Sequence, residues 1–377
     1  MAIRPGIFED VEDPQKRAAT PGGIRRDRGR ARRFVRGWLM ILFALVVVMI
    51  AVGGLTRLTD SGLAITEWAP IIGAIPPLSQ AQWEAEFTAY RAIPEYQLQN
   101  RGMTLAQFKV IYWWEWGHRQ LGRFIGLVWA LGFLGLLIMR HIPPGWMGRL
   151  LLLGGLGGLQ AWIGWWMVRS GLAPAMLDVA SYRLAIHLGL AFVILALLAW
   201  FILTLSRDHA DLMQSRRAGD RRLIRGAAGL LYLVFLQILV GALVAGIDAG
   251  RNYTDWPLMA DGLTPPNMWV LEPVWRNLFE NDGTVQFFHR LLGYAVAIYG
   301  VIIWSMARQS THRTTKRAFD WALAMILGQM VLGIITVMYS SPLHLAIVHQ
   351  FGAVVLITLV QRARFLSFYP ILQSIRS

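Results

Sequence analysis

The sequence predicts an all-α polytopic membrane protein whose eight transmembrane helices form two pseudo-symmetric four-helix bundles. Three observations lead there. Long blocks such as Trp38–Val52, Phe124–Met139 and Ala191–Leu205 carry few or no charges, and they approach the roughly 20 residues needed to cross a bilayer. The loops between the blocks alternate in charge. The second half of the chain also repeats the first, motif by motif.

In chain order, residues 1–36 are polar, contain Pro and Gly, and end in an Arg-rich run, so they read as a disordered basic arm ahead of the first span. Spans are expected at about 37–56, 110–139, 149–168, 182–205, 226–247, 284–306, 319–338 and 344–362. The first four make an N-terminal bundle over 37–206 and a linker covers 207–225. The last four make a C-terminal bundle over 226–362, and 363–377 is a tail. The long loop 57–109 holds Trp83, Phe87, Tyr90 and Pro94 at partly helical spacing, which predicts amphipathic helices lying along the membrane face. Gly62, Gly73 and the pair Pro76-Pro77 are turn signals within it.

A net charge of +14 is of the kind that nucleic-acid-binding proteins carry, but its placement points elsewhere. Basic residues cluster at Arg25–Arg36, Arg216–Arg225 and Arg308–Arg317, beside apolar blocks, while loops 57–109 and 248–283 hold acids at least as often as bases. That is the positive-inside pattern; it puts both termini in the cytoplasm and argues against a nucleic-acid partner, leaving membrane lipid as the surrounding phase. Glu9, Asp10, Glu12, Asp13 and Asp27 are out of place in a transit peptide, which favours a bacterial inner membrane. With no cysteine, disulfides, thiolate metal sites and iron–sulfur ligation by this chain are excluded.

The repeat is specific. After span one the chain reads Gly54-Leu55, Asp60-Ser-Gly62, Thr66-Glu-Trp68 and Pro76-Pro77; after span five it reads Ala242-Leu243, Asp248-Ala-Gly250, Thr254-Asp-Trp256 and Pro265-Pro266. Spans two and six share His118-Arg-Gln-Leu-Gly122 and His289-Arg-Leu-Leu-Gly293, and spans three and seven share Gln160-x-x-x-Gly164 and Gln329-x-x-x-Gly333. Spans four and eight share an Ala-Ile element ending at His187 and His349. An even number of spans per unit gives both copies the same orientation, unlike inverted-repeat transporters.

His141, His209 and His312 fall among charges in the basic loops and read as surface. His118, His187, His289 and His349 lie at one depth, roughly 8–12 Å inside their spans at 1.5 Å per residue. One such histidine is accounted for by a hydrogen bond between helices; four at matched depth in a duplicated frame point to two bis-imidazole sites. Haem iron suits an apolar four-helix pocket of this kind, and glycines such as Gly122, Gly164 and Gly293 would let a flat ring approach the backbone. His344, at the rim of span eight, reads as interfacial or as a neighbour of a propionate. Arg57, Arg119, Arg123 and Arg290 either pair with haem propionates or snorkel to lipid headgroups.

The halves differ three residues before the histidine of the second span, where Glu115 faces Gln286 across the repeat. A haem used only for electron transfer needs no acid there, whereas a catalytic site doing proton-coupled or cation-stabilising chemistry on a bound substrate can use one. The first half then holds a substrate and the second a permanent redox haem. The alternative is that Glu115 pairs with Arg57 or Arg119 and only orders the site.

Gly53–Trp68, Ile75–Leu78, Pro94-Glu-Tyr96, Tyr112–Arg123 and Phe288-His-Arg290 resemble the haem A synthases, and the likeness runs from about 37 to 362. The resemblance implies an oxidoreductase that converts the C8 methyl of haem O to a formyl group, giving haem A for cytochrome oxidase, by successive hydroxylation and loss of water. It assigns His118 and His187 to the substrate haem, His289 and His349 to a haem b cofactor, and the family's essential glutamate to Glu115. It implies haem O synthase and cytochrome oxidase assembly factors as partners, and leaves the electron donor unspecified. Some relatives carry a cysteine pair in the first long loop; this chain is similar to the cysteine-free branch shared with mitochondrial enzymes. Two other readings remain alongside: a di-haem b electron-transfer cytochrome, and a haem-transfer chaperone.

Overall fold

The computed structural model describes residues 21–69, 71–174 and 176–372. Among them the chain forms α1 (Pro21–Leu58), α2 (Gln80–Arg91), α3 (Pro94–Leu98), α4 (Leu105–Ile138), α5 (Met147–Gly171) and α6 (Ser181–Leu205). Then follow α7 (His209–Arg217), α8 (Arg221–Gly246), α9 (Asn277–Glu280), α10 (Asp282–Arg308), α11 (Arg313–Met338) and α12 (Leu343–Phe368), with no strand. Eight of these helices, α1, α4, α5, α6, α8, α10, α11 and α12, are long and apolar enough to cross a membrane, at the eight places expected. On α4, Leu127, Leu131, Leu134 and Ile138 form an exposed apolar stripe at helical spacing. Such a stripe is unfavourable in water and at home in lipid. The chain is a multi-pass membrane protein.

The basic arm expected over 1–36 lies outside the described residues up to 20; from Pro21 the chain is already helical, so the Arg-rich run is the first part of α1. The linker is ordered as well. Arg207 donates to both carboxylate oxygens of Asp211 (2.8 and 3.0 Å) and to the carbonyl of Tyr369 (2.6 Å), clasping the start of α7 to the end of α12.

Helix starts follow local chemistry. Ser79 with Gln82, and Thr104 with Gln107, make reciprocal capping boxes at α2 and α4. Asp220 accepts from the backbone of Arg222 and Leu223 at α8, and Asn281 from Thr284 at α10. The repeated Asp-x-Gly turns are also alike in backbone: Asp60 and Asp248 both take the left-handed conformation, at φ 49° and 53°. Aspartate tolerates that region better than most residues.

Helix α1 packs on α4 and α6, and α5 on the same two; α8 packs on α10 and α12, and α11 on those two. Between these sets, α6 lies against α8 and α12, and α1 reaches α12. One apolar core runs through both, from Val46 and Ile50 on α1 through Phe192 and Leu195 on α6 to Val234 on α8 and Val354 on α12.

The first long loop departs from expectation. The apolar face of α2 does not lie on the bilayer: Trp83, Phe87 and Tyr90 are buried against Phe108 and Tyr112, on turns of α4 that begin earlier than expected. Phe87 stacks on Phe108 with centroids 5.0 Å apart, and Trp83 meets Tyr112 edge-on at 4.9 Å. Beneath them sits Glu95, only 3% exposed. Its Oε1 accepts from the Tyr90 hydroxyl (3.2 Å) and from Asn100 Nδ2 (3.3 Å), and its Oε2 has no partner among the described residues.

Burial pushes the Glu95 carboxyl up to about 8. The folded loop therefore keeps a proton that the unfolded chain loses near pH 4.5, so this packing weakens as pH rises from there through 8. Amide protection of residues 90–100, corrected for intrinsic exchange, is expected to fall as pH rises from 4.5 toward 8 in the native protein and to level off above it. Glu95→Gln, which keeps the shape without the titration, should flatten that profile. A native profile already flat would contradict the assignment.

Candidate functional site

Glu115, His118 and Arg119 share one face of α4, since residues three and four apart are neighbours on a helix. Glu115 is 2% exposed. Its Oε2 accepts the Ile65 backbone N–H at 2.7 Å, and its Oε1 accepts Arg119 Nε and Nη2 at 3.0 and 2.5 Å. Arg119 goes on to the carbonyls of Ile65 (3.0 Å) and Glu67 (3.4 Å). The acid and the base together clamp the turn after α1 onto α4.

The second half repeats the clamp with altered polarity. Arg290 donates to Gln286 Oε1 (2.9 Å) and to the carbonyls of Tyr253 (2.6 Å) and Asp255 (2.9 Å), the repeat counterparts of Ile65 and Glu67. Gln286, however, donates its amide to the carbonyls of Ala249 (2.8 Å) and Asn252 (2.6 Å). Where the first half presents an N–H to an acceptor-only carboxylate, the second presents carbonyls to an amide.

Each of the four histidines rests against a glycine of a neighbouring helix. A Cβ at Gly53 would lie 3.1 Å from His118, at Gly164 2.9 Å from His187, at Gly241 2.9 Å from His289, and at Gly333 3.0 Å from His349. Any side chain there would displace the ring. His118 and His187 are within electrostatic reach of one another, as are His289 and His349. Helix α4 takes nearly four turns to reach His118, while α6, α10 and α12 reach their histidines within two. The extra turns are those that receive α2.

A glutamine amide stands at three of these histidines. Gln160 Nε2 lies 3.2 Å from His187 Nδ1 and donates to the His187 carbonyl at 2.9 Å. Gln237 stands in the same relation to His289, at 3.2 and 3.1 Å, and Gln329 donates to the His349 carbonyl at 2.9 Å. Gln237 is a residue the motif reading passed over, although Gln237-x-x-x-Gly241 has the spacing of the two pairs it did find.

His289 and His349 both line one cavity, walled by Gly241, Gly293, Gln237 and Gln329 and reached by Arg57 at its polar end. Among the described residues His349 Nδ1 is buried without a partner. Two imidazoles on one cavity, bare backbone at the glycines and apolar walls fit a flat iron macrocycle held by two histidines.

Of the arginines expected near propionates, Arg57 makes ion pairs with Asp60 (2.8 Å), Asp178 (3.7 Å) and Asp248 (3.2 Å), joining the turn after α1 to loops of both halves. Arg119 and Arg290 serve the clamps, and Arg123 donates to the Ala69 carbonyl at 3.2 Å. His344 is exposed in the first turn of α12.

The cytochrome oxidase assembly protein family COX15-CtaA matches residues 36–361. The chain belongs to this family. Among its members, a protein named Heme A synthase from Jannaschia sp. (strain CCS1) is 69% identical over 376 residues, covering 100% of this chain and 99% of that protein. One of the same name from Dinoroseobacter shibae is 64% identical over 379 residues, with 100% and 99% covered. The Heme A synthase of Paracoccus denitrificans is 53% identical over 378 residues, again with 100% and 99% covered.

Proposed function

We propose that this chain is a haem A synthase: it oxidises the C8 methyl of haem O to a formyl group, making haem A for cytochrome oxidase. The full-length likeness to proteins of that name supports the activity. One structural observation supports the division of labour, namely that the two halves build the same clamp around unequal side chains, Glu115 and Gln286.

In this reading the chain is two four-helix bundles in a bacterial inner membrane, with both termini cytoplasmic. His118 and His187 bind the iron of the substrate haem. His289 and His349 hold haem b in the cavity of the second half, and that cofactor, when bound, supplies a redox centre for electrons from a membrane donor. Gln160 and Gln237 bridge the imidazoles of His187 and His289 to their own carbonyls, and Gln329 holds the carbonyl of His349, so ligand geometry is set before binding. Glu115 is the one acceptor-only group on the His118 face, and it takes a proton as the methyl group is oxidised. Arg119 balances its charge and holds it in place. Arg57 and Arg290 close the ends of the halves toward the propionates. Haem O synthase and oxidase assembly factors are the natural neighbours, delivering substrate and receiving product.

The Glu115–Arg119 ion pair favours one alternative specifically: that Glu115 only orders a loop and both haems are permanent, as in a di-haem electron carrier. Product analysis separates the two. Expressed with a source of haem O in a host without haem A of its own, the protein should yield hydroxylated and formyl haems by chromatography of extracted pigments. Haem O recovered unchanged would leave a carrier or a haem-handing chaperone.

A further inference from the structure

Four histidines sit in four equivalent glycine seats, but they are not held alike. His187, His289 and His349 each have a glutamine four residues before the seating glycine, at Gln160, Gln237 and Gln329. The fourth seat is Gly53, and the residue four before it is Met49. The equivalence is spatial as well as sequential: a Cβ at Gly122 would lie 3.5 Å from the Met49 Cε, and one at its counterpart Gly293 3.4 Å from the Gln237 Nε2. Met49 therefore occupies the place of the amide and donates nothing.

Among the described residues no amide bridges the His118 ring to its own carbonyl. A thioether is flexible, polarizable and adaptable in packing, so it can follow a ring that moves.

We propose that His118 is the exchangeable ligand and that Met49 makes it so, being the positioning residue that leaves one imidazole free to let haem in and out. This rests on the assignment of the first half to a substrate haem. A site that turns over must release its product, and a site that keeps a cofactor must not. Three histidines backed by an amide and one without meet both needs: in the second half both histidines are backed, and in the first His187 is the anchor and His118 the latch.

The test is haem loss from the purified full-length protein to excess apomyoglobin, followed by absorbance. Two phases are expected, the fast one absent from His118→Ala and the slow one absent from His289→Ala. Met49→Gln should slow the fast phase by roughly three- to tenfold, the range of one added hydrogen bond, and shift the low-spin spectrum of the first-half haem. Met49→Leu, which adds no donor, should leave the rate unchanged. Gln237→Met, the reciprocal change, should speed the slow phase by a similar factor. A fast phase that Met49→Gln leaves untouched, or that Met49→Leu slows as much, overturns the role of Met49 while leaving the two-site reading in place. A single phase that depends on His289 and is indifferent to His118 overturns the two-site reading itself.

Discussion

His289→Ala or His349→Ala should remove the low-spin haem b spectrum from the purified protein altogether. Both rings line the same cavity and each is seated on a glycine, with Gln237 bridging the His289 ring to its carbonyl and Gln329 holding the His349 carbonyl. Among the described residues, His344 is exposed in the first turn of α12 rather than in that cavity. A haem held there by these two histidines would lose one of the two groups that set its spectrum, and an alanine leaves the other ring without its partner. His118→Ala should leave that spectrum intact and abolish turnover. The pair of results assigns the halves: a haem b signal that survives both C-terminal substitutions would contradict the cavity as its site, and activity that survives His118→Ala would remove the N-terminal substrate site.

The spans were legible because lipid imposes a length and a composition that sequence states directly, and the duplication because matched motifs need no third dimension. Asp60 and Asp248 show how far that goes: aligned as letters, they share an unusual backbone conformation. What sequence did not reveal was partnership. Arg57 finds Asp178 and Asp248 on loops far along the chain, and nothing near Arg57 announces them. The face of α2 was recognisable as apolar, but periodicity cannot distinguish a face that meets lipid from one that meets Phe108 and Tyr112. Gln237 was missed for a different reason. Its counterpart in the first half is Met49, so a search for matching residues skips the position where the halves part.

Glu115→Gln should lower haem A formation by roughly a hundredfold or more, the scale of a lost general acid–base group, with haem b content unchanged. The structure makes the comparison sharper than a single substitution allows. Gln286 is comfortable because it faces carbonyls, but a glutamine at 115 would face the Ile65 N–H and the Arg119 guanidinium, both donors. Its amide group would meet one of them without an acceptor, at a cost of about 1–3 kcal/mol, so the clamp would loosen along with the loss of the acid. Glu115→Asp separates the two effects. It keeps the proton acceptor and shortens the reach to Ile65, loosening the clamp while preserving the chemistry. If Glu115 takes the proton, the aspartate variant retains turnover that the glutamine variant lacks, with the pH dependence of its rate displaced. If Glu115 only orders the turn after α1, both variants lose activity in proportion to the proteolytic sensitivity of residues 60–70, and the unequal halves reflect folding rather than reaction.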